Sequence, residues 1–298
     1  MAKYKHTVTE EEYGQSINQI LRANYTFSAR FKTKMKFQSL VDLNGVPTPG
    51  YVKPEVGDVI GIRLPEETSD FPPEDIPIDV LFEDDDLLII NKQPGIIVHP
   101  TKGHPTSTIA NGIMKYMLDT DQSFKIRFAN RIDMDTSGIV ICCKNANAQN
   151  DISSQMRSQT VVKKYIAIVH GSVDRDEFTI DLPVGRESQE TIRRSVMYEG
   201  GKDAVTDVKV LRRYGDYTLV ELSLHTGRTH QIRVHLSHIG HPIIGDSLYD
   251  GDAPGLIDRQ ALHAYRISFL HPVSKERIEI EAPFPKDIET AIAKIEGR

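Results

Sequence analysis

The sequence predicts an α+β protein in two parts, a small module over 13–64 and a large domain over 78–290. Three observations carry that expectation. Segments with the 3.6-residue apolar period of a helix and segments with the alternation or short apolar runs of a strand occur in both parts. The stretch 65–77, acidic and with Pro72-Pro73 inside it, has the composition of a linker. A length of 298 residues, 39% apolar and 26% charged, suits a globular chain of one large and one small domain.

The elements follow in order. Residues 1–12 are charged and lack the apolar stretch of a signal peptide, and no apolar run approaches the roughly 18 residues of a membrane span. A cytoplasmic chain with no membrane partner is therefore expected. In 16–25, Ile17, Ile20 and Leu21 have helical spacing; in 41–46, Asn44-Gly45 is a hairpin signal; and 57–64 alternates as a strand. Past the linker, 76–82 and 86–91 read as strands, Lys92 to Gly95 as a turn into a short strand, and 108–118 as a helix with Ile109, Ile113 and Met117 on one face. The apolar run 139–143 reads as a buried strand, 146–158 as a helix and 163–169 as a strand. Cys142 and Cys143 are adjacent in a strand, so they face opposite ways and read as small core residues, not as a disulfide or a thiolate cage.

A formal net charge of −6 argues against a nucleic-acid partner only as an average. From Arg22 to Gln38 the chain carries Arg22, Arg30, Lys32, Lys34 and Lys36 with no acid, while 66–86 carries ten acids and no base. A local basic patch attracts phosphate, and screening over about 8 Å isolates it from acids elsewhere. The competing reading of the basic run is a solvated helix face.

Asn130-Arg131-Ile132-Asp133-Met134-Asp135-Thr136-Ser137-Gly138 precedes the run 139–143 and describes a tight loop feeding a buried strand, the kind of place where catalytic groups sit. Two other readings exist. Asp133 or Asp135 accepts backbone hydrogen bonds in an Asx-turn, with Gly138 as a permissive backbone position. Alternatively the loop belongs to an aspartic peptidase, although Ser137 interrupts the Asp-Thr-Gly pattern and no second copy follows.

This loop resembles the catalytic loop of the RluA/RluD-type RNA pseudouridine synthases, His-Arg-Leu-Asp, two variable residues, then Thr-Ser-Gly. Ile132 stands for the leucine and Asn130 for the histidine. The resemblance implies that Asp133 is the catalytic aspartate and that Arg131 props open the RNA where the uridine leaves the stack. Lys163-Lys164-Tyr165 matches the family's Lys-Xaa-Tyr element, which implies that Tyr165 packs on the target base; read by itself, Tyr165 is a core tyrosine sharing a strand face with Ala167 and Val169. Residues 92–100 resemble the family's Lys-Pro-Gly and Val-His-Pro element, with Gln93 inserted. The module over 13–64 resembles an S4-type RNA-binding domain through its Asn-Gly-Val and Gly-Asp-Val-Ile elements, although the usual Arg-Leu-Asp start is replaced near 15–18. The resemblance further implies a mixed, largely antiparallel catalytic sheet, and 261–270 resembles the last strand of that sheet.

The densest polar stretch is 225–245. Gly227 breaks a strand over 217–225, and a helix then runs to about Ile239 with Ile232, Leu236 and Ile239 inward, leaving Arg233 at the edge of the buried face. Its five histidines invite a metal reading, yet His225, His230 and His235 do not share a helical face, and His235, His238 and His241 form no recognised zinc pattern. The stretch resembles the family's Thr-Gly-Arg-Xaa-His-Gln-Ile-Arg-Xaa-His element. That implies an Arg233 pair with Asp133, and such a partner favours the charged form of a carboxylate; Arg228 of the same element, with Arg131 and the basic run, would contact RNA.

The expected function is isomerisation of uridine to pseudouridine in structured RNA, ribosomal RNA first and transfer RNA second, by a monomer that flips the target base out of its stack. The reaction needs neither redox equivalent nor metal, and with no Gly-rich dinucleotide loop or P-loop in the chain no cofactor is expected. The alternative is a non-catalytic RNA-binding protein that keeps the synthase fold.

Overall fold

A computed structural model of the chain describes residues 2–25, 27, 29–37, 39–65, 67–186, 188 and 190–297, without the side chains of 29, 30, 36 and 37. The N-terminal part holds β1 (Tyr4–Thr7), α1 (Ile17–Asn24), α2 (Ala29–Phe37), β2 (Val41–Leu43), β3 (Val46–Pro47) and β4 (Val59–Ile62), with an antiparallel sheet in the order β1-β4-β2-β3. Helix α1 starts where it does because the Gln19 side chain reaches back to the Ser16 N–H at 2.9 Å. Its Ile17, Ile20 and Leu21 pack with Tyr4, Val41, Ile60 and Ile62. The hairpin turn has Asn44 at φ 53° and Gly45 at φ 85°, the left-handed pair that a two-residue turn of this hand requires. The edge strand β1 lies N-terminal to the 13–64 span, because its residues alternate too briefly to be read as a strand without their partner β4.

Residues 67–77 have no regular structure but are tied to the large domain: Glu67 pairs with Arg127, Ser69 Oγ accepts from the Ile126 N–H at 2.9 Å, and the Pro72 carbonyl accepts from Asn111 Nδ2 at 2.9 Å. The linker is a strap, since its anchors lie far away in sequence.

The large domain follows with β5 (Val80–Glu83), β6 (Leu87–Lys92), α3 (Ile109–Asp119), β7 (Arg127–Phe128), β8 (Ser137–Cys143), α4 (Ala146–Arg157), β9 (Val162–His170), β10 (Glu177–Asp181), β11 (Val184–Gly185), β12 (Ser195–Val196), β13 (Val205–Arg213), β14 (Tyr217–Leu224), α5 (Gln231–His238), β15 (Leu262–Leu270), β16 (Arg277–Glu281) and α6 (Lys286–Ile295). The main sheet runs β10-β13-β14-β9-β15-β8-β6-β5, with β16 on β15 and β7 on β8. It is mixed and largely antiparallel, as expected: the parallel pairing is β15 with β8, at His263 to Ser137 and Ala264 to Gly138. Strand β8 is buried along its whole length, which is why it reads as a continuous apolar run. Cys142 packs with Ile109 and Ile113 on one face of the sheet, and Cys143 with Ile152 and Phe269 on the other. Gly138, at φ +112°, lies where a Cβ would come 2.2 Å from the Ala264 carbonyl oxygen, so both its conformation and its neighbour demand glycine.

Candidate active site

The loop before β8 is fixed through its own backbone. Thr136 N–H donates to the Asp133 carbonyl at 3.2 Å, Lys92 Nζ donates to the Met134 carbonyl at 2.8 Å, and Arg259 Nη1 donates to the Asp135 carbonyl at 2.9 Å, so three successive carbonyls are satisfied. Asn130 joins loop to strand, its Nδ2 donating to the Ile139 carbonyl and its Oδ1 accepting from the Ile141 N–H. The residue that replaces the family histidine therefore pairs with backbone.

Lys92 is fully buried and also donates to the carbonyls of Gln93 and Ile96, using all three N–H bonds of the ammonium. Burial brings it down to about 7, against the pull of Asp135 and Asp133. Arg259 in turn forms a two-point pair with Asp287 of α6, at 2.6 and 2.9 Å.

Ser137 Oγ lies 2.9 Å from His263 Nδ1, and His263 Nε2 faces the Ala282 carbonyl at 3.4 Å. A carbonyl only accepts, so Nε2 carries the hydrogen and Nδ1 accepts from the Ser137 hydroxyl. His263 is fully buried, and that burial takes its pKa from 6.5 to about 4. The folded chain thus holds His263 neutral where the unfolded chain protonates it. The stability tied to the neutral ring is present above 6.5 and is lost as pH falls towards 4. We expect this loss to be about 3 kcal/mol from this group. Urea unfolding of wild type and His263→Gln between pH 7 and 4 checks it: the variant should show a shallower pH dependence, and equal slopes would refute the assignment.

Asp133, part-exposed, extends its carboxylate to Arg233 Nη1 at 3.2 Å. Arg233 is 6% exposed and is held chiefly by Asp246, which is 1% exposed, through Nε–Oδ2 at 2.7 Å and Nη2–Oδ1 at 2.8 Å. The guanidinium also lies over the Tyr249 ring at 4.9 Å. The expected reach from Arg233 to Asp133 is present; the dominant partner, Asp246, was not assigned from sequence, since only folding brings the two together. Asp246 directly follows the stretch 225–245 already singled out, and a buried arginine needing a full carboxylate is the signal that points to it.

His230 also faces the aspartate, its Nε2 3.8 Å from Asp133 Oδ2. Asp133 only accepts, so the neutral ring presents Nε2–H to it, and Nδ1 then accepts from the Tyr249 hydroxyl at 2.9 Å, which in turn accepts from the Arg194 N–H at 2.8 Å. His230 holds a left-handed backbone, φ 58°, at the start of α5. The preceding turn is locked by Gln231, which accepts from Thr226 Oγ and the Arg228 N–H and donates to the Val205 carbonyl and Thr206 Oγ.

Asp133, Tyr165, His230 and Arg233 line a recess of about 100 Å³. It meets a larger cleft of about 850 Å³ at Arg131, Tyr165, Leu224 and Gly227. Arg131 is exposed at that junction, and Tyr165 is buried with its phenol pushed well above its usual range, first by burial and then by Asp133. Arg228 is exposed and donates through Nε to the Asp203 carbonyl at 2.9 Å. Of the basic run, Lys34 lines the cleft and Lys32 is half-buried, whereas the side chains of Arg30 and Lys36 lie outside the described residues. The histidines disperse: His225 pairs with Asp207, His235 lies between Thr206 and the Leu182 carbonyl, and His241 faces the His170 carbonyl. Among the described residues, the ligand atoms that cluster are those of Asp84, Asp86 and His271. Nδ1 of His271 accepts from the Val273 and Ser274 N–H groups, so Nε2, 2.8 Å from Asp84, carries the hydrogen and offers no lone pair to an ion.

A model of the RNA pseudouridylate synthase family matches residues 86–238, more than half of the chain. The chain belongs to that family. An uncharacterized RNA pseudouridine synthase of Bacillus subtilis is 37% identical over 97% of each chain. The ribosomal large subunit pseudouridine synthase D of Vibrio parahaemolyticus is 32% identical over 95% of this chain and 91% of its own length. Among solved structures, human RNA pseudouridylate synthase domain containing 1 superposes with a TM-score of 0.59 at 26% identity, covering 74% of this chain and 89% of its own. The protein is an RNA pseudouridine synthase, an isomerase, and its substrate is RNA. Among the described residues, no helix of this synthase is long and apolar enough to cross a membrane.

Proposed function

We propose that this synthase converts uridine to pseudouridine in large-subunit ribosomal RNA, with Asp133 as the carboxylate that meets the flipped nucleotide. The observation that carries the reading is the Asp133 carboxylate in the recess, 3.2 Å from an arginine whose Nε and Nη2 are both fixed by a buried aspartate. A guanidinium held on two points cannot swing away, so it orients Asp133 before RNA arrives. In this reading Tyr165 packs on the target base as a phenol, and Arg131 fills the space the base leaves. Unstacking a uridine costs a few kcal/mol, and an arginine at the mouth of the recess offsets part of it. The glycosidic bond breaks, the uracil turns, and it rejoins through carbon.

The choice of ribosomal RNA rests on relatives named for the large ribosomal subunit. The basic run, Arg30, Lys32, Lys34 and Lys36, with Arg228, would hold phosphates around the cleft. The N-terminal part, 13–64 together with β1, serves as an S4-like RNA-binding unit joined through 65–77 to a catalytic domain over 78–290, in a cytoplasmic monomer. The test is to incubate the purified protein with transcribed large-subunit ribosomal RNA and with transfer RNAs, and map pseudouridine. Pseudouridine at defined positions of the ribosomal RNA is the expected result. Product confined to transfer RNA would overturn the choice of substrate, and none in either would favour a non-catalytic RNA-binding protein.

A further inference from the structure

Two adjacent lysines of β9 have opposite surroundings. Lys164 points to one face of the sheet, where its Nζ pairs with Glu221 on β14 at 2.7 Å. Lys163 points to the other face, the face of Tyr165 two residues on, and lines the large cleft. Among the described residues Lys163 has no carboxylate, carbonyl or aromatic partner, and burial alone pulls its ammonium below the usual lysine range. A desolvated cation without a partner costs stability. Its retention is explained if the partner arrives with the substrate.

The cleft supplies the setting. Lys34 from α2, Lys125, Arg127, Arg131 and Lys163 line it, against one described acid, Glu67, which is already paired with Arg127. A chain of net charge −6 thus carries a locally basic cleft that meets the recess of Asp133 at Arg131 and Tyr165. Two residues along a strand span roughly 6.6 Å. The backbones of Lys163 and Tyr165 therefore stand about one nucleotide's spacing apart, on one face of β9, and both side chains line the cleft.

We propose that Lys163 is the inner phosphate clamp of this cleft, binding the RNA backbone next to the target uridine while the base lies against Tyr165. This rests on the reading of Tyr165 and of the RNA given above. The test compares Lys163→Met, Lys163→Arg and Lys164→Met in binding to transcribed large-subunit ribosomal RNA fragments over a range of salt, with urea unfolding and pseudouridine mapping on the same samples. Lys163→Met should weaken binding about tenfold or more and reduce the slope of log affinity against log salt by about one. Its stability should hold or rise, since a half-buried charge without a partner is gone. Lys163→Arg should bind like wild type, and Lys164→Met should leave affinity and slope unchanged.

Loss of stability with unchanged affinity and slope in Lys163→Met would make Lys163 structural and overturn the proposal. So would an equal loss of affinity in Lys164→Met, which would report charge in general. Ribosomal RNA that is bound as expected but left unmodified counts against the proposed substrate and leaves the clamp standing. Ribosomal RNA that is modified while Lys163→Met binds like wild type does the reverse.

Discussion

Asp133→Asn should lower turnover by about three orders of magnitude or more, because the change removes the charged carboxylate and nothing else of comparable size. Asparagine keeps an oxygen to accept from Arg233 Nη1, so the recess should keep its shape and RNA affinity should stay within about twofold. Asp135→Asn should do far less. What the fold uses at that position is the backbone carbonyl, which accepts from Arg259 and is untouched by the substitution. Single-turnover pseudouridine formation, with RNA binding measured separately, checks both variants. An equal loss in the two would remove Asp133 as the unique carboxylate of the site.

Arg233→Met should cost roughly 3 to 5 kcal/mol of stability, the range for removing one partner of a buried pair. The reason is Asp246 more than Asp133. Asp246 is 1% exposed and loses both of its guanidinium bonds, while Asp133 still reaches solvent. Adding Asp246→Leu to Arg233→Met should recover most of the loss, since replacing a buried pair by apolar groups is often neutral, yet turnover should stay low in the double variant because Asp133 has lost its donor. Urea unfolding and turnover on the three proteins decide the matter. An arginine that only held phosphate would leave stability unchanged in the single variant and weaken RNA affinity instead.

Several elements were legible because they satisfy local rules. The helical spacing of Ile17, Ile20 and Leu21 in α1, the Asn44-Gly45 turn, the apolar face of α3 and the buried run of β8 each declare themselves within a few residues. The strands β10 to β13 and β16 were not read. They pair largely through half-exposed positions and carry mixed polar residues, so their strand character depends on neighbours far along the chain. The helix α6 was likewise not read, although its apolar positions lie against the core and its Asp287 braces Arg259.

The sequence by itself determined the family, the loop 130–138 and the residue types that chemistry on RNA requires, because those are written in contiguous motifs. It also placed Arg233 on a helix, since helical periodicity is a local property, but at the edge of one buried face, whereas Gln231 to Leu236 of α5 are all buried. Only the tertiary structure decided that Asp246 holds both Nε and Nη2 of that guanidinium, that Lys92, Arg259 and His263 hold the loop from three other parts of the chain, and that Lys163 is left without a partner among the described residues while Lys164 has one. Each of these is a pairing between residues far apart in sequence. A local pattern tells which way a side chain points but not what waits there, and the energy of a buried charge is set by what waits there.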